Sequence, residues 1–202
     1  MNRKFLLPFI SCFSFVLVGL PGIRAQVNHD QHLSKIKWMT FEQVTTVTKS
    51  SKTPKKIIVD LFTDKCGYCK KMDLSTFQNE FISHYMNENF YPVKFNAETK
   101  SDIQFNDQVF HLDRSGFHEL AIDLSMGDLV FPTLVFLDEE NQIIQPIQGY
   151  QTVDDLERIM VYFANDFYKN TPWNEFTRRY KPTNSRPVID VNPNGETVKK
   201  KN

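Results

Sequence analysis

The spacing of apolar positions changes several times along the chain, and each change marks an element. After a polar stretch at residues 26–35, "IKW" (36–38) reads as a short first strand. Thr40 and Gln43 have the spacing of a capping box, which predicts a helix from Phe41 to about Ser50. Pro54 closes the connection, and "KKIIVDLFT" (55–63) is the β-branched run of a buried strand. From Gly67 onward the period turns helical and carries through "CKKMDLSTFQNEFISHYMNENF". Phe77, Phe81, Ile82, Tyr85 and Met86 recur at three- and four-residue steps, and Asn87 to Asn89 should end that helix. "FYPVKFNAE" (90–98) is a second strand, with Pro92 tolerated near its start.

The second half is read the same way. "IQFNDQVFHL" (103–112) alternates around Asn106–Asp107, the pattern of a small hairpin, and Ser115 is placed to cap a helix from Gly116 to about Ser125. "PTLVFLDEENQIIQPIQGY" (132–150) reads as strand, polar turn, strand. "TVDDLERIMVYFANDFY" (152–168) has Thr152 as cap and Leu156, Ile159, Met160 and Phe163 on one face, which predicts a final helix. Beyond Pro172 the chain turns to Pro, Asn and Lys with few large apolar residues, so residues 171–202 are expected to be an extension, disordered toward its end. There is no internal repeat. The order β-α-β-α-β-(insert)-α-β-β-α implies an α/β domain over residues 36–170, a central mixed sheet with helices on both faces.

Composition adds one change at the N-terminus. The chain has 202 residues, 41% hydrophobic and 24% charged, enough for one domain with a sizeable core. Its eighteen Phe fall at regular apolar positions and read as core. Residues 1–25, "MNRKFLLPFISCFSFVLVGLPGIRA", hold three basic residues and no acid, an apolar middle, and Ala25 before Gln26. This is the pattern of a secretory signal peptide, so export is expected, with the mature chain opening on a flexible segment at 26–35. The apolar run is short and broken by Pro8 and Gly19, so no stable membrane span is expected after cleavage; an uncleaved anchor is the alternative. Cys12 lies inside the apolar run, which continues after it, unlike a lipoprotein cysteine. The remainder carries 21 basic against 24 acidic side chains, with no basic stripe of the kind that binds nucleic acid.

The candidate chemistry sits in "CGYC", residues 66–69, where the mature chain spends both of its cysteines. A Cys-x-x-Cys turn that opens a helix puts the first sulfur at the helix N-terminus, where free N–H groups and the macrodipole favour a thiolate. Lys65, Lys70 and Lys71 add positive charge. Only the thiolate attacks a disulfide, so Cys66 reads as nucleophile and Cys69 as resolving thiol, with the Cys66–Cys69 disulfide as the redox group and no further cofactor. Two other readings exist. A zinc site needs four suitably spaced ligands, and His84, His111 and His118 are scattered, so no metal is expected. An inert staple is the other, although so short a loop constrains little of the unfolded chain.

Three further residues bear on the choice. Asp60 interrupts the apolar strand, and alternation points it inward, where a carboxylate should have a raised pKa and could take the proton that Cys69 loses. An exposed edge or a structural ion pair is the competing reading. Lys94 on the next strand is a candidate partner for Asp60 or a solvent-facing lysine. Pro132 opens the "TLVFL" strand either as a cis proline exposing backbone for an extended peptide or as a trans proline ending a loop.

Taken together these residues resemble the thioredoxin superfamily. "VDLFTDKCGYC", "VKFNAE" and "FPTLVFLDEENQII" are similar to its active-site segment, following strand, and cis-proline strand with closing hairpin. More narrowly, "CGYCKKMDLSTFQNEFISHYMNENFYPVKFNAE" resembles secreted bacterial thioredoxin-like proteins. The resemblance, over about residues 36–168, implies Cys66, Cys69 and Asp60 as catalytic residues and Lys94 as the acid's partner. It implies Pro132 as the cis proline, with Phe131, Gly67 and Tyr68 touching substrate.

Three departures qualify it. An insertion at about 100–130 precedes the proline strand, Lys65 stands where Trp is usual, and Tyr68 replaces the Pro common in reductases. Gly-Tyr is similar to some periplasmic disulfide isomerases, but no dimerisation domain of that type fits before residue 36. The expected function is a periplasmic thiol–disulfide oxidoreductase acting on protein substrates and recycled by a membrane or periplasmic redox partner, its direction open between reductase, isomerase and oxidase. The alternative is a binding or chaperone module in which the pair is vestigial or a switch.

Overall fold

The computed structural model describes residues 35–183 and the backbone pairing of Asp190–Val191 with Thr197–Val198. The signal-peptide expectation for residues 1–25, nearly all of the 26–35 segment and most of the far C-terminus therefore lie outside the described residues. Helix α1 (Phe41–Ser50) starts at the expected capping box: Gln43 N–H donates to Thr40 Oγ1 at 3.3 Å, and the Gln43 side chain accepts from Thr40 N–H at 2.9 Å. Strand β1 (Lys56–Phe62) follows, then α2 (Gly67–Leu74), a 3-10 turn (Thr76–Gln78), α3 (Glu80–Asn89) and β2 (Phe90–Asn96). The insertion supplies a hairpin of β3 (Ile103–Phe105) and β4 (Gln108–Phe110), then α4 (Glu119–Leu124). Strands β5 (Thr133–Leu137) and β6 (Ile143–Gln148) and helices α5 (Val153–Ala164), α6 (Phe167–Asn170) and α7 (Trp173–Arg179) complete the domain.

The central sheet has the order β2-β1-β5-β6, with β1 parallel to β2 and antiparallel to β5. Alternation along β1 divides the core. Ile58, with Leu134 and Phe136 of β5, packs with Met72, Ile82, Met86 and Phe163 from α2, α3 and α5. Ile57, Val59 and Leu61 face the other way, with Phe41 and Val44 of α1, Phe105 of the hairpin, and Leu120 and Leu124 of α4. This is the expected mixed sheet with helices on both faces. The insertion belongs to the second core, and its hairpin turns at Asn106 and Asp107, which both adopt left-handed φ values of 50° and 61°.

Four expectations are corrected. "IKW" forms no strand: Met39 alone bridges to Val93, its N–H donating to Pro92 O at 2.8 Å, so the segment only grazes the edge of β2. The long helix after Gly67 is broken, because Ser75 leaves helical geometry at φ −128° and Asn79 starts a new helix by accepting from Ile82 N–H at 3.1 Å. Helix α4 starts later than Ser115, at a cap formed by His118, whose ring accepts from Leu120 N–H at 3.3 Å. The domain also continues past residue 170. Phe176 of α7 is buried and packs on Tyr162 and Tyr180, while Tyr162 donates a hydrogen bond to Thr171 O at 2.7 Å.

Candidate active site

At the C-terminal end of β1 the chain turns through Asp64 and Lys65 and is fastened by a bond from Cys66 N–H to Thr63 O at 3.1 Å. Cys66 is the N-cap of α2, its sulfur accepting from Cys69 N–H at 3.0 Å. Cys69 lies one turn inside the helix and is buried, and the two cysteines are joined by a disulfide. Gly67 and Tyr68 occupy the exposed first turn, and Tyr68 is 63% exposed. The sulfur nearer to solvent thus sits at the positive end of the helix, and the other sits in the core side of the turn.

Below this turn, Asp60 is buried on the same face of the sheet as Ile58 and stands directly opposite Lys94 in the β1–β2 register. Asp60 Oδ2 lies 2.7 Å from Lys94 Nζ, and no other described group hydrogen-bonds either carboxylate oxygen. Burial pushes the Asp60 pKa up to about 6 from 3.8; Lys94 pulls it down, and the charge of Asp73 pushes it up further. The carboxylate points inward and Lys94 is its partner, so Asp60 is not at an exposed edge; it forms an ion pair with Lys94. Lys94 Nζ also pairs with Asp73 of α2 and is set among the rings of Trp38, Phe62 and Phe77 at 5.1, 5.1 and 5.2 Å.

Because β5 runs antiparallel to β1, Thr133 is opposite Leu61, so Phe131 and Pro132 come to the end of the sheet where β1 delivers the cysteines. The Phe131–Pro132 bond is cis. The carbonyl of Pro132 accepts from Gly149 N–H at 2.8 Å, and Thr133 Oγ1 donates to Val130 O at 2.6 Å. Phe117, from the insertion, places its ring 5.8 Å from that of Phe131, so the insertion borders this loop. Tyr150 faces Tyr68 at 6.2 Å and lies under Lys71 Nζ at 4.6 Å. Its hydroxyl is 3.3 Å from Ser75 Oγ, and hydrogen bonding there lowers the Tyr150 pKa.

Asp73, Tyr150 and Phe117 were not picked out by sequence reasoning. For Asp73 a signal was present: it stands four residues after Cys69 on a helix, hence on the same face as the buried thiol. Tyr150 and Phe117 are brought in by the closing hairpin and the insertion, and nothing local marks them. Among the described residues no three His, Cys, Asp or Glu side chains converge as metal ligands would.

Residues 43–164, more than half of the chain, match the family model described as thioredoxin-like domain. Solved structures similar to the chain include a thioredoxin-fold protein from Helicobacter pylori, at 14% identity and TM-score 0.48, covering 62% of this chain and 79% of that one. A DsbH oxidoreductase is similar at 17% identity and TM-score 0.48, covering 72% and 95%. A thioredoxin from Thermus thermophilus is similar at 14% identity and TM-score 0.46, covering 72% and 98%. No curated protein matches the sequence.

Proposed function

The chain belongs to the thioredoxin-like domain family, and on that premise we propose that it is a thiol–disulfide oxidoreductase that exchanges disulfides with protein substrates through Cys66 and Cys69. The observation that carries this reading is the disulfide at the N-terminus of α2, which follows the strand on which Asp60 is buried.

In the reducing direction, the Cys66 thiolate attacks one sulfur of a substrate disulfide. A Cys66–substrate bond forms, the substrate S–S bond breaks, and the second substrate sulfur leaves as a thiolate that takes a proton from water. Cys69 then gives its proton to the Asp60 carboxylate and attacks the Cys66 sulfur. The Cys66–Cys69 bond forms and the first substrate sulfur departs. The substrate has gained two electrons and the protein has lost two. A dithiol partner, membrane-bound or periplasmic, returns them by the same steps in reverse; run with a substrate dithiol, the reverse is substrate oxidation.

Exposed Tyr68 and Gly67, within the Cys66–Cys69 turn, and Phe131 with Pro132, at the same end of the sheet, are the surfaces that contact substrate in this reading. Export to the periplasm rests on the basic, apolar N-terminal segment. Among the described residues no helix is long and apolar enough to cross a membrane. The test is reduction of insulin disulfides by the full chain with dithiothreitol as electron source. Cys66→Ser is expected to lower the catalysed rate at least ~100-fold, the scale of losing a covalent nucleophile. An unchanged rate overturns the assignment.

A further inference from the structure

Charges from three elements converge: Asp60 on β1, Lys94 on β2 and Asp73 on α2, four residues after Cys69. One ammonium serves two carboxylates, so the cluster carries a net negative charge when all three are ionised. The environments of the two acids differ sharply. Asp60 is 2% exposed at its side chain, whereas Asp73 is 40% exposed. A cavity of about 410 Å³ opens beside the outer pair, lined by Asp73, Lys94, Trp38, Phe77, Lys35 and their neighbours, while Asp60 is not part of its wall. The aromatic rings around Lys94 hold its ammonium at the point where both carboxylates reach it.

Attraction between Lys94 and Asp60 is the one contact that favours the ionised form of the buried acid, since no other described group hydrogen-bonds it. Asp73 draws on the same ammonium from the solvent side and adds a like charge. Removing the Asp73 charge leaves Lys94 wholly to Asp60, which should then hold its proton less tightly. We propose that Asp73 is a positioning residue for the proton step: by sharing Lys94 it loosens the hold of that ammonium on Asp60, so that the buried carboxylate can accept the Cys69 proton. This rests on the reading of Asp60 as the acceptor of the Cys69 proton.

The direction of the Asp60 shift agrees, since the Asp73 charge is among the causes that raise it. Among the described residues, Lys35 is the other titratable group lining the cavity, and the Cys66–Cys69 pair at the head of α2 titrates only when reduced. Asp73 is not conveyed by the Asp60–Lys94 pairing itself. It enters from a different element, at a partly exposed position where an amide is accommodated.

The experiment follows the Asp60 carboxyl carbon by NMR through a pH titration of the full oxidised chain, and the pH profile of insulin reduction in parallel. Asp73→Asn is expected to lower the Asp60 midpoint by on the order of one pH unit, and to move the acidic limb of the rate profile the same way. Asp73→Glu, which restores the charge, should return both toward the wild-type values. With Lys94→Met already in place, Asp73→Asn should move the midpoint by less than half as much. A midpoint unmoved by Asp73→Asn in a folded protein overturns the proposal, and so does an equal shift without Lys94. Absence of insulin reduction by the wild type would instead overturn the oxidoreductase reading, and the carboxyl titration would still decide the role of Asp73.

Discussion

Strand β1 carries a buried charge near each end, and the two are handled in opposite ways. At its start Lys56 is buried, its ammonium 2.7 Å from Glu139 and 2.9 Å from Asp166. Burial pulls the Lys56 pKa down, but the two carboxylates more than offset it, and the net shift is upward; Asp166 in turn is held below its usual value by Lys56. Near its far end Asp60 has one share of one ammonium, and burial wins. In both clusters a lysine lies between two acids, and in the first Lys169 also pairs with Asp166, at 3.1 Å. Where the lysine is the buried member, two partly exposed acids both reach its ammonium. Where an acid is the buried member, the lysine is divided and the acid is left to titrate. The first arrangement gives the buried charge two partners of opposite sign, and the second leaves the buried acid with part of one ammonium.

Stranding Lys56 should break the contrast most forcefully. Glu139→Gln combined with Asp166→Asn leaves an uncompensated buried ammonium and should cost about 3–5 kcal/mol in urea unfolding, with insulin reduction per folded molecule unchanged. A loss under ~1 kcal/mol would place Lys56 with ordinary surface pairs.

Asp60→Asn comes next, and its sign is the reverse. The acid is ordinarily at 3.8 and is at about 6 in the folded chain, so the folded state binds this proton more tightly than the unfolded. Stability from this group is therefore complete below about pH 4 and lost as pH rises through about 6. Two units correspond to ~3 kcal/mol, so Asp60→Asn should exceed the wild type by up to that amount at about pH 8 and by nothing near pH 3.5. Parallel denaturation curves at both pH values would show that Asp60 does not titrate between them. Smallest is Lys94→Met, which removes the shared ammonium and should raise the Asp60 midpoint by on the order of one unit, read by the same carboxyl titration; a fall would reverse the electrostatic account.

Much of this was legible in the chain. A β-branched apolar run located β1, apolar segments located β2 and β5, a one-sided apolar face located α5, and the Thr40–Gln43 spacing set the start of α1 at Phe41. The Cys pair, the inward Asp60 and the proline at the head of β5 were visible because each breaks a local rule. What was misread turned on competition between local signals. Ser75 and Asn79 favour caps over helix interior, and they divided a segment whose apolar spacing runs on unbroken. At the C-terminus, Trp173, Phe176 and Tyr180 have helical spacing, but polar composition masked it, and the tertiary site against Tyr162 secures the helix.

Sequence by itself determined the layers of the domain and the identity of the reactive turn, because period, capping and residue type act over a few neighbouring positions. Tertiary structure alone decided that Asp73 shares Lys94, across 21 positions of chain, and that the insertion reaches Phe131. Charge interaction and desolvation depend on distance in space and on exclusion of water. Neither is encoded by separation along the chain, so the proton affinity of Asp60 emerges only when three elements are packed together.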